Sequence, residues 1–319
     1  MGKLIAGRWS NEWYDADAKG RFVRDETKFH DRVTADGSSG FEAEPERYHL
    51  YVSLACPWAH RTLIARRLKG LERGISLSVV HPHMGDDGWE FRDAPGTIPD
   101  TVNGARYLHE VYTKAKPDYT GRVTVPVLWD RKRRTIVCND SRRVLRMLSR
   151  EFDAFAENRV TLCPPELEAQ IDREIDALYE PVNNGVYRAG FASTQEAYDE
   201  AVTLLFGALD GYERRLDRHR YLLGNAFTEA DICFFTTLLR FDPVYHYHFK
   251  CNVKRVADYP NLSSYLRDIY QKPGVASLCD LSHVKEHYYT SHPKLNPTRI
   301  IPKGPVIDLD APHDRARFD

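Results

Sequence analysis

A cysteine followed by proline, where a strand pattern gives way to a helix pattern, is a place to build a nucleophile. In Cys56-Pro57-Trp58-Ala59 the proline takes the first helical position, where its missing N–H costs nothing. Cys56 then faces the unpaired N–H groups and positive end of the helix. Both stabilise an anion, so its thiolate should form at lower pH than that of an isolated cysteine. The alternative, an inert buried thiol, suits the other five cysteines, Cys138, Cys163, Cys233, Cys251 and Cys279; none has the close partner that a zinc site or disulfide framework uses. Ala59 occupies the place where a dithiol oxidoreductase carries its second, resolving cysteine. A disulfide formed at Cys56 must therefore be released by an external thiol, and glutathione is the abundant cytosolic candidate.

A strand before Cys56 and a helix after it must hold this turn. Residues 48–54 read as the strand, residues 60–71 as the helix, and residues 75–81 as a second strand. That order implies a parallel pair joined by a right-handed crossover. Residues 83–122 read as a polar loop longer than a plain connection needs, a plausible functional insertion. Residues 123–130 and 135–138 read as short strands across a basic turn, and Asp140-Ser141 opens a helix. Pro126, inside an apolar run, belongs at a sheet edge or in a cis bond. After residue 151 the strand signals stop, and helical windows cover residues 166–179, 195–216, 229–241 and 262–271. Thr228-x-x-Asp231 marks one helix start.

The predicted architecture is an α/β domain followed by an all-helical one. Residues 1–45 form an extension, 46–150 the first domain, 151–290 the second, and 291–319 a strap ending in a loose tail. The chain of 319 residues is 42% hydrophobic, enough for a real core. Its 45 Lys+Arg balance 46 Asp+Glu, so no global field favours nucleic acid or an anionic membrane. No apolar run is long enough to span a bilayer or to act as a signal peptide, and the expected location is the cytoplasm. No residue pattern calls for a metal, flavin or nicotinamide.

The segment from Tyr51 to Arg61, Tyr-Val-Ser-Leu-Ala-Cys-Pro-Trp-Ala-His-Arg, resembles the signature of the glutathionyl-hydroquinone reductases, the Xi class of glutathione transferases. The likeness continues in Gly20-Arg21-Phe22-Val23-Arg24, in residues 183–192 (Asn-Asn-Gly-Val-Tyr-Arg-Ala-Gly-Phe-Ala), in residues 240–245 (Arg-Phe-Asp-Pro-Val-Tyr), and in His287-Tyr288-Tyr289 with residues 296–305. It implies a thioredoxin-like domain that binds glutathione, a helical domain, and an aromatic acceptor pocket between them. On this resemblance Val125 and Pro126 would form the cis-proline turn that meets the cysteinyl part of glutathione. Asp140 and Ser141 would receive the glutamyl end, with Asp140 one methylene shorter than the family's usual Glu. Trp89 and Arg122 match positions that cover and anchor glutathione. Among 18 tyrosines, Tyr187 and one or both of Tyr288 and Tyr289 would face the acceptor, where phenolic O–H groups donate to a quinone-type oxygen. Tyr245 is a weaker candidate of this kind, and His60 is read as structural.

The implied reaction is reductive deglutathionylation through a Cys56-glutathione mixed disulfide. Glutathione is a co-substrate rather than a resident cofactor, the other substrate is a glutathionyl-hydroquinone or related aromatic thioether, and the assembly is a homodimer. Two rivals stand beside it: an Omega-like thiol transferase or dehydroascorbate reductase, and a non-catalytic interaction module built on the same fold. A conjugating transferase needs a hydroxyl beside glutathione, whereas a cysteine there tends to be consumed as a mixed disulfide. The cysteine turn therefore argues for reduction, and the tyrosines argue against the module.

Overall fold

The computed structural model describes residues 2–318. The strands are β1 (Lys3–Ile5), β2 (Arg8–Ser10), β3 (Tyr48–Val52), β4 (Ile75–Val79), β5 (Gly121–Arg122), β6 (Val127–Asp130) and β7 (Thr135–Cys138). The helices are α1 (Pro57–Leu68), α2 (Leu108–Ala115), α3 (Ser141–Arg150), α4 (Glu168–Leu178), α5 (Gly185–Gly190), α6 (Gln195–Leu216), α7 (Glu229–Arg240), α8 (His246–His248), α9 (Pro260–Tyr270) and α10 (Leu281–Ser291). Among the described residues no helix is long and apolar enough to cross a membrane.

The chain forms two compact units, and each borrows from distant parts of the sequence. Among the described residues, the first takes 2–13, 24–161 and 282–299; the second takes 14–23, 162–281 and 300–318. The spatial division thus interleaves where the sequence reads as consecutive blocks, and nearly all of α10 sides with the first unit.

In the first unit a four-stranded sheet runs in the order β4-β3-β6-β7, with β3 parallel to β4 and antiparallel to β6. The parallel pair predicted around the Cys56 turn is present, and α1 packs against α3. Every residue of β3 is buried, as expected of a strand with neighbours on both edges and cover on its faces. His49 is the polar exception: its Nδ1 lies 2.6 Å from Ser76 Oγ and its Nε2 2.9 Å from Ser78 Oγ. Burial pushes its pKa down to about 4, while the unfolded chain keeps the usual value near 6.5. Folding therefore gains from neutral His49 above about pH 6.5, and that gain is lost as pH falls towards 4. The contribution is about 3 kcal/mol. Urea midpoints between pH 7 and pH 4 should fall less steeply for His49→Gln than for the intact protein; parallel slopes would contradict this.

Two elements escaped the sequence reading. Strands β1, β2 and β5 form a second sheet, in strands of two or three residues, too short to show a period. The turn between β1 and β2 has positive φ at Ala6 and Gly7, which suits a two-residue hairpin. Helix α2 lies inside the supposed loop. Its signal was readable: Leu108, Val111 and Tyr112 share its buried face, and the Glu110 carboxylate accepts from the N–H groups of Arg106 at 2.7 Å and Tyr107 at 3.3 Å, capping the first turn.

In the second unit, α4 and α7 do not stop where their patterns fade. Each passes through a π turn, Tyr179–Asn183 after α4 and Phe241–Tyr245 after α7, before helix resumes. Pro181 and Pro243 sit inside these turns. A proline has no N–H to offer the preceding turn, so the backbone widens there instead of breaking. The Asn183 amide donates to the Cys233 carbonyl at 3.0 Å and to Thr237 Oγ1 at 2.9 Å, tying the first π turn to α7. The expected loose tail is a correction. Arg315 is fully buried and donates to the carbonyls of Leu216 at 2.7 Å, Arg220 at 3.0 Å and His219. It caps the last carbonyl of α6 and two carbonyls of the turn that follows it.

Candidate active site

Cys56 occupies the N-cap position of α1 with extended backbone (φ −79°, ψ 121°), and Pro57 is the first helical residue. Its side chain does not cap the helix; instead Sγ lies 3.7 Å from the carbonyl oxygen of Val125. Two residues on from Cys56, guanidinium groups lie against the Trp58 ring, Arg24 at 5.0 Å and Arg61 at 4.4 Å from its centroid. Cys56 is half-buried, whereas Cys138, Cys163, Cys233 and Cys251 are buried. Burial pushes the Cys138 and Cys279 thiols up to about 12, and that of Cys251 higher. Those thiols stay protonated at neutral pH.

The Val125–Pro126 peptide is cis, and its neighbourhood is organised by a residue the sequence did not announce. The Tyr112 hydroxyl, on α2, donates to the Thr124 carbonyl at 2.7 Å and accepts from the Thr124 N–H at 3.2 Å. The Asn139 side chain donates to that same hydroxyl at 3.1 Å. One buried phenol thus joins the Val125 turn to the residue preceding Asp140 and Ser141. Asp140 caps α3, its Oδ1 accepting from the Arg143 N–H at 2.9 Å, and Ser141 opens that helix; both are half-buried. Tyr112→Phe should raise the glutathione KM roughly fivefold by freeing both segments, a change worth about 1 kcal/mol. An unchanged KM would show that the network does not hold the site.

Trp89 is buried and stacks on His287 with ring centroids 4.7 Å apart. The β1–β2 hairpin fixes the turn before it. Trp9 Nε1 donates to the Asp86 carbonyl at 2.8 Å, and its ring lies so close to Gly88 that a Cβ there would sit 2.7 Å away. With φ of +81° as well, this position admits only glycine without strain. Arg122 is also buried. Its guanidinium donates to Asp25 Oδ2 at 2.8 Å, to the Trp13 carbonyl at 2.8 Å and to the Glu12 carbonyl, so it holds the amino-terminal arm.

The first unit therefore collects Cys56, Val125, Pro126, Trp89, Arg122, Asp140 and Ser141, together with Tyr288 and Tyr289 on α10. Both tyrosines are buried. Tyr187 lies in the second unit on α5, where its ring packs with Phe249 at 5.5 Å and Tyr245 at 6.0 Å. His60, read as structural, is buried. Sequence reasoning missed Tyr112 and Asn139, and it quoted His287 within the family's end segment without giving it a role. All three are polar groups whose partners are distant in sequence, so no local pattern assigns those partners.

The amino-acid sequence matches two family descriptions, the N-terminal domain of glutathione S-transferase over residues 55–151 and its C-terminal domain over residues 195–268. It is 53% identical to glutathionyl-hydroquinone reductase YqjG of Escherichia coli (strain K12), over 99% of this chain and 98% of that protein. It is 50% identical to glutathionyl-hydroquinone reductase PcpF of Sphingobium chlorophenolicum, over 97% and 98%. The fold superposes on a Xi class glutathione transferase from Natrialba magadii with a TM-score of 0.94 at 50% identity, covering 100% of this chain and 97% of that one. The glutathione-bound structure of YqjG gives a TM-score of 0.91 at 51% identity, covering 99% of both chains. Likeness of this extent, over both domains and end to end, places the chain in the Xi class of glutathione transferases, the glutathionyl-hydroquinone reductase family.

Proposed function

We propose that this protein reduces glutathionyl-hydroquinones to hydroquinones at the expense of glutathione, with Cys56 as the nucleophile. The observation that carries the reading is a half-buried cysteine at a helix start, beside the Val125 carbonyl, with Ala59 where a resolving thiol would stand. In the first step the Cys56 thiolate attacks the glutathionyl sulfur of the thioether. A sulfur–sulfur bond forms, the aryl carbon–sulfur bond breaks, and the ring carbon takes the electron pair and a proton. In the second step a glutathione thiolate attacks the mixed disulfide, giving oxidised glutathione and returning Cys56. One thioether and one glutathione become one hydroquinone and one disulfide, so the electrons balance.

Two relatives named as glutathionyl-hydroquinone reductases and a glutathione-bound relative support this assignment. Trp89 and Arg122 are proposed to cover and anchor glutathione, Val125 and Pro126 to meet its cysteinyl part, and Asp140 with Ser141 its glutamyl end. Tyr187, Tyr288 and Tyr289 are proposed to serve the acceptor, their O–H groups donating as charge develops on the quinone oxygen. A homodimer in the cytoplasm completes the proposal. The test is glutathione-dependent hydroquinone release, followed together with the mass of the enzyme. Release with a glutathione adduct on Cys56 supports the reading. Dehydroascorbate reduction without hydroquinone release would favour an Omega-like reductase, and neither activity would favour an interaction module.

A further inference from the structure

The loop of residues 82–95, which carries Trp89, is gripped along one face of α10. His283 and His287 stand four residues apart and so share that face. His283 Nε2–H donates to the Pro95 carbonyl at 2.6 Å, and His287 Nδ1–H donates to the Pro82 carbonyl at 3.0 Å. A carbonyl can only accept, which assigns a proton to each of these ring nitrogens. The last turn of α10 continues the grip: Thr290 Oγ1 lies 2.8 Å from His83 Nδ1, and Ser291 Oγ accepts from the Met84 N–H at 2.9 Å. Both ends of the loop are thus fastened by one helix.

His287 also reaches the loop's interior. Its ring lies against the Trp89 indole at 4.7 Å with only 23° between the planes, and both rings are buried. The bond to Pro82 fixes the rotation of the imidazole, and the stack passes that orientation to the indole. An aliphatic side chain could fill the same volume but would leave the Pro82 carbonyl without this donor and the indole free to rock. The next residue along α10 is Tyr288.

We propose that His287 is a positioning residue for glutathione: it sets the plane of Trp89 and joins the Trp89 loop to the helix that carries Tyr288 and Tyr289. The proposal rests on the reading in which Trp89 covers glutathione. It makes the glutathione cover and this part of the acceptor machinery one mechanical piece, so that both are placed by the same helix face.

The test measures glutathione affinity by calorimetry in the full chain carrying Cys56→Ser, which binds glutathione without consuming it. Adding His287→Leu should weaken binding about tenfold, the combined loss of one hydrogen bond and one aromatic pair. His287→Phe, which keeps the stack and loses the donor, should recover at least half of that loss on a logarithmic scale. Trp89→Leu should weaken binding at least as much, and combining it with His287→Leu should add less than twofold. The proposal is overturned if His287→Leu leaves affinity within twofold, if His287→Phe is as weak as His287→Leu, or if the two losses multiply. If Trp89→Leu itself leaves affinity unchanged, the covering role of Trp89 falls and the proposal with it. If Trp89→Leu weakens binding and His287→Leu does not, the proposal alone falls. Circular dichroism of each variant guards against misfolding, and the phenylalanine variant, which preserves ring volume, keeps the question decidable if the leucine variant is unstable.

Discussion

Replacing Cys56 with serine should lower the rate of glutathione-dependent hydroquinone release by about a thousandfold or more. A serine hydroxyl does not ionise near neutral pH and cannot form the mixed disulfide that the proposed reaction requires. The helix start at Pro57 and the guanidinium groups around Trp58 would remain, so glutathione should still bind with comparable affinity. Loss of turnover with retained binding separates a chemical role from a structural one. Mass spectrometry provides the second arm: the intact protein should carry the adduct on the peptide containing Cys56, and the serine variant should carry none. Cys279 is the other half-buried cysteine, and its thiol is held up near 12 by burial. An adduct found there, or turnover in Cys56→Ser within tenfold of the intact enzyme, would sink the assignment.

The largest loss of stability should come from Asp231→Ala, far along the chain from the chemistry. Asp231 is fully buried at the start of α7. Its carboxylate accepts from the backbone N–H groups of Leu222 at 2.9 Å and Thr228 at 2.8 Å, from the Thr228 hydroxyl at 3.0 Å, and from the Tyr265 hydroxyl at 2.9 Å. Burial pushes its carboxyl up to about 6, which leaves it ionised at neutral pH. Alanine would strand these donors in a buried interior, and two of them are backbone groups that cannot turn away. The expected cost is about 4 kcal/mol, well above an ordinary cap because several buried donors lose their acceptor at once. Chemical denaturation at pH 7 reads this directly. A loss below about 1 kcal/mol would mean that the chain rebuilds the cap around water.

Local patterns carried the reading wherever partners are near in sequence. The Cys56 turn, the flanking strands and α6 follow from the order of apolar residues, a proline at the first helical position and capping residues. Thr228 and Asp231, three residues apart, are legible for the same reason. The helices that reading stopped at residues 179 and 241 continue through π turns, because a proline marks the loss of one hydrogen bond without saying whether the backbone breaks or widens. Arg315 looked like part of a charged tail, yet it is fully buried, since the carbonyls it caps come from residues 216–220.

By itself the sequence determined that Cys56 sits at a strand-to-helix turn with Ala59 where a resolving cysteine would stand, that a mixed α/β segment precedes a helical one, and which residues match the family's signature. These are properties of period, turn chemistry and residue type within a short window, and the chain carries them wherever it goes. Tertiary structure alone decided that Lys3 and Leu4 pair with Gly121 and Arg122, that most of α10 sides with the first unit, and that the Tyr112 phenol and the His287 imidazole acquire their partners across the fold. A buried polar side chain must find a hydrogen-bond partner, but which partner it finds depends on which distant segments the packing brings within 3 Å, and no local period encodes that.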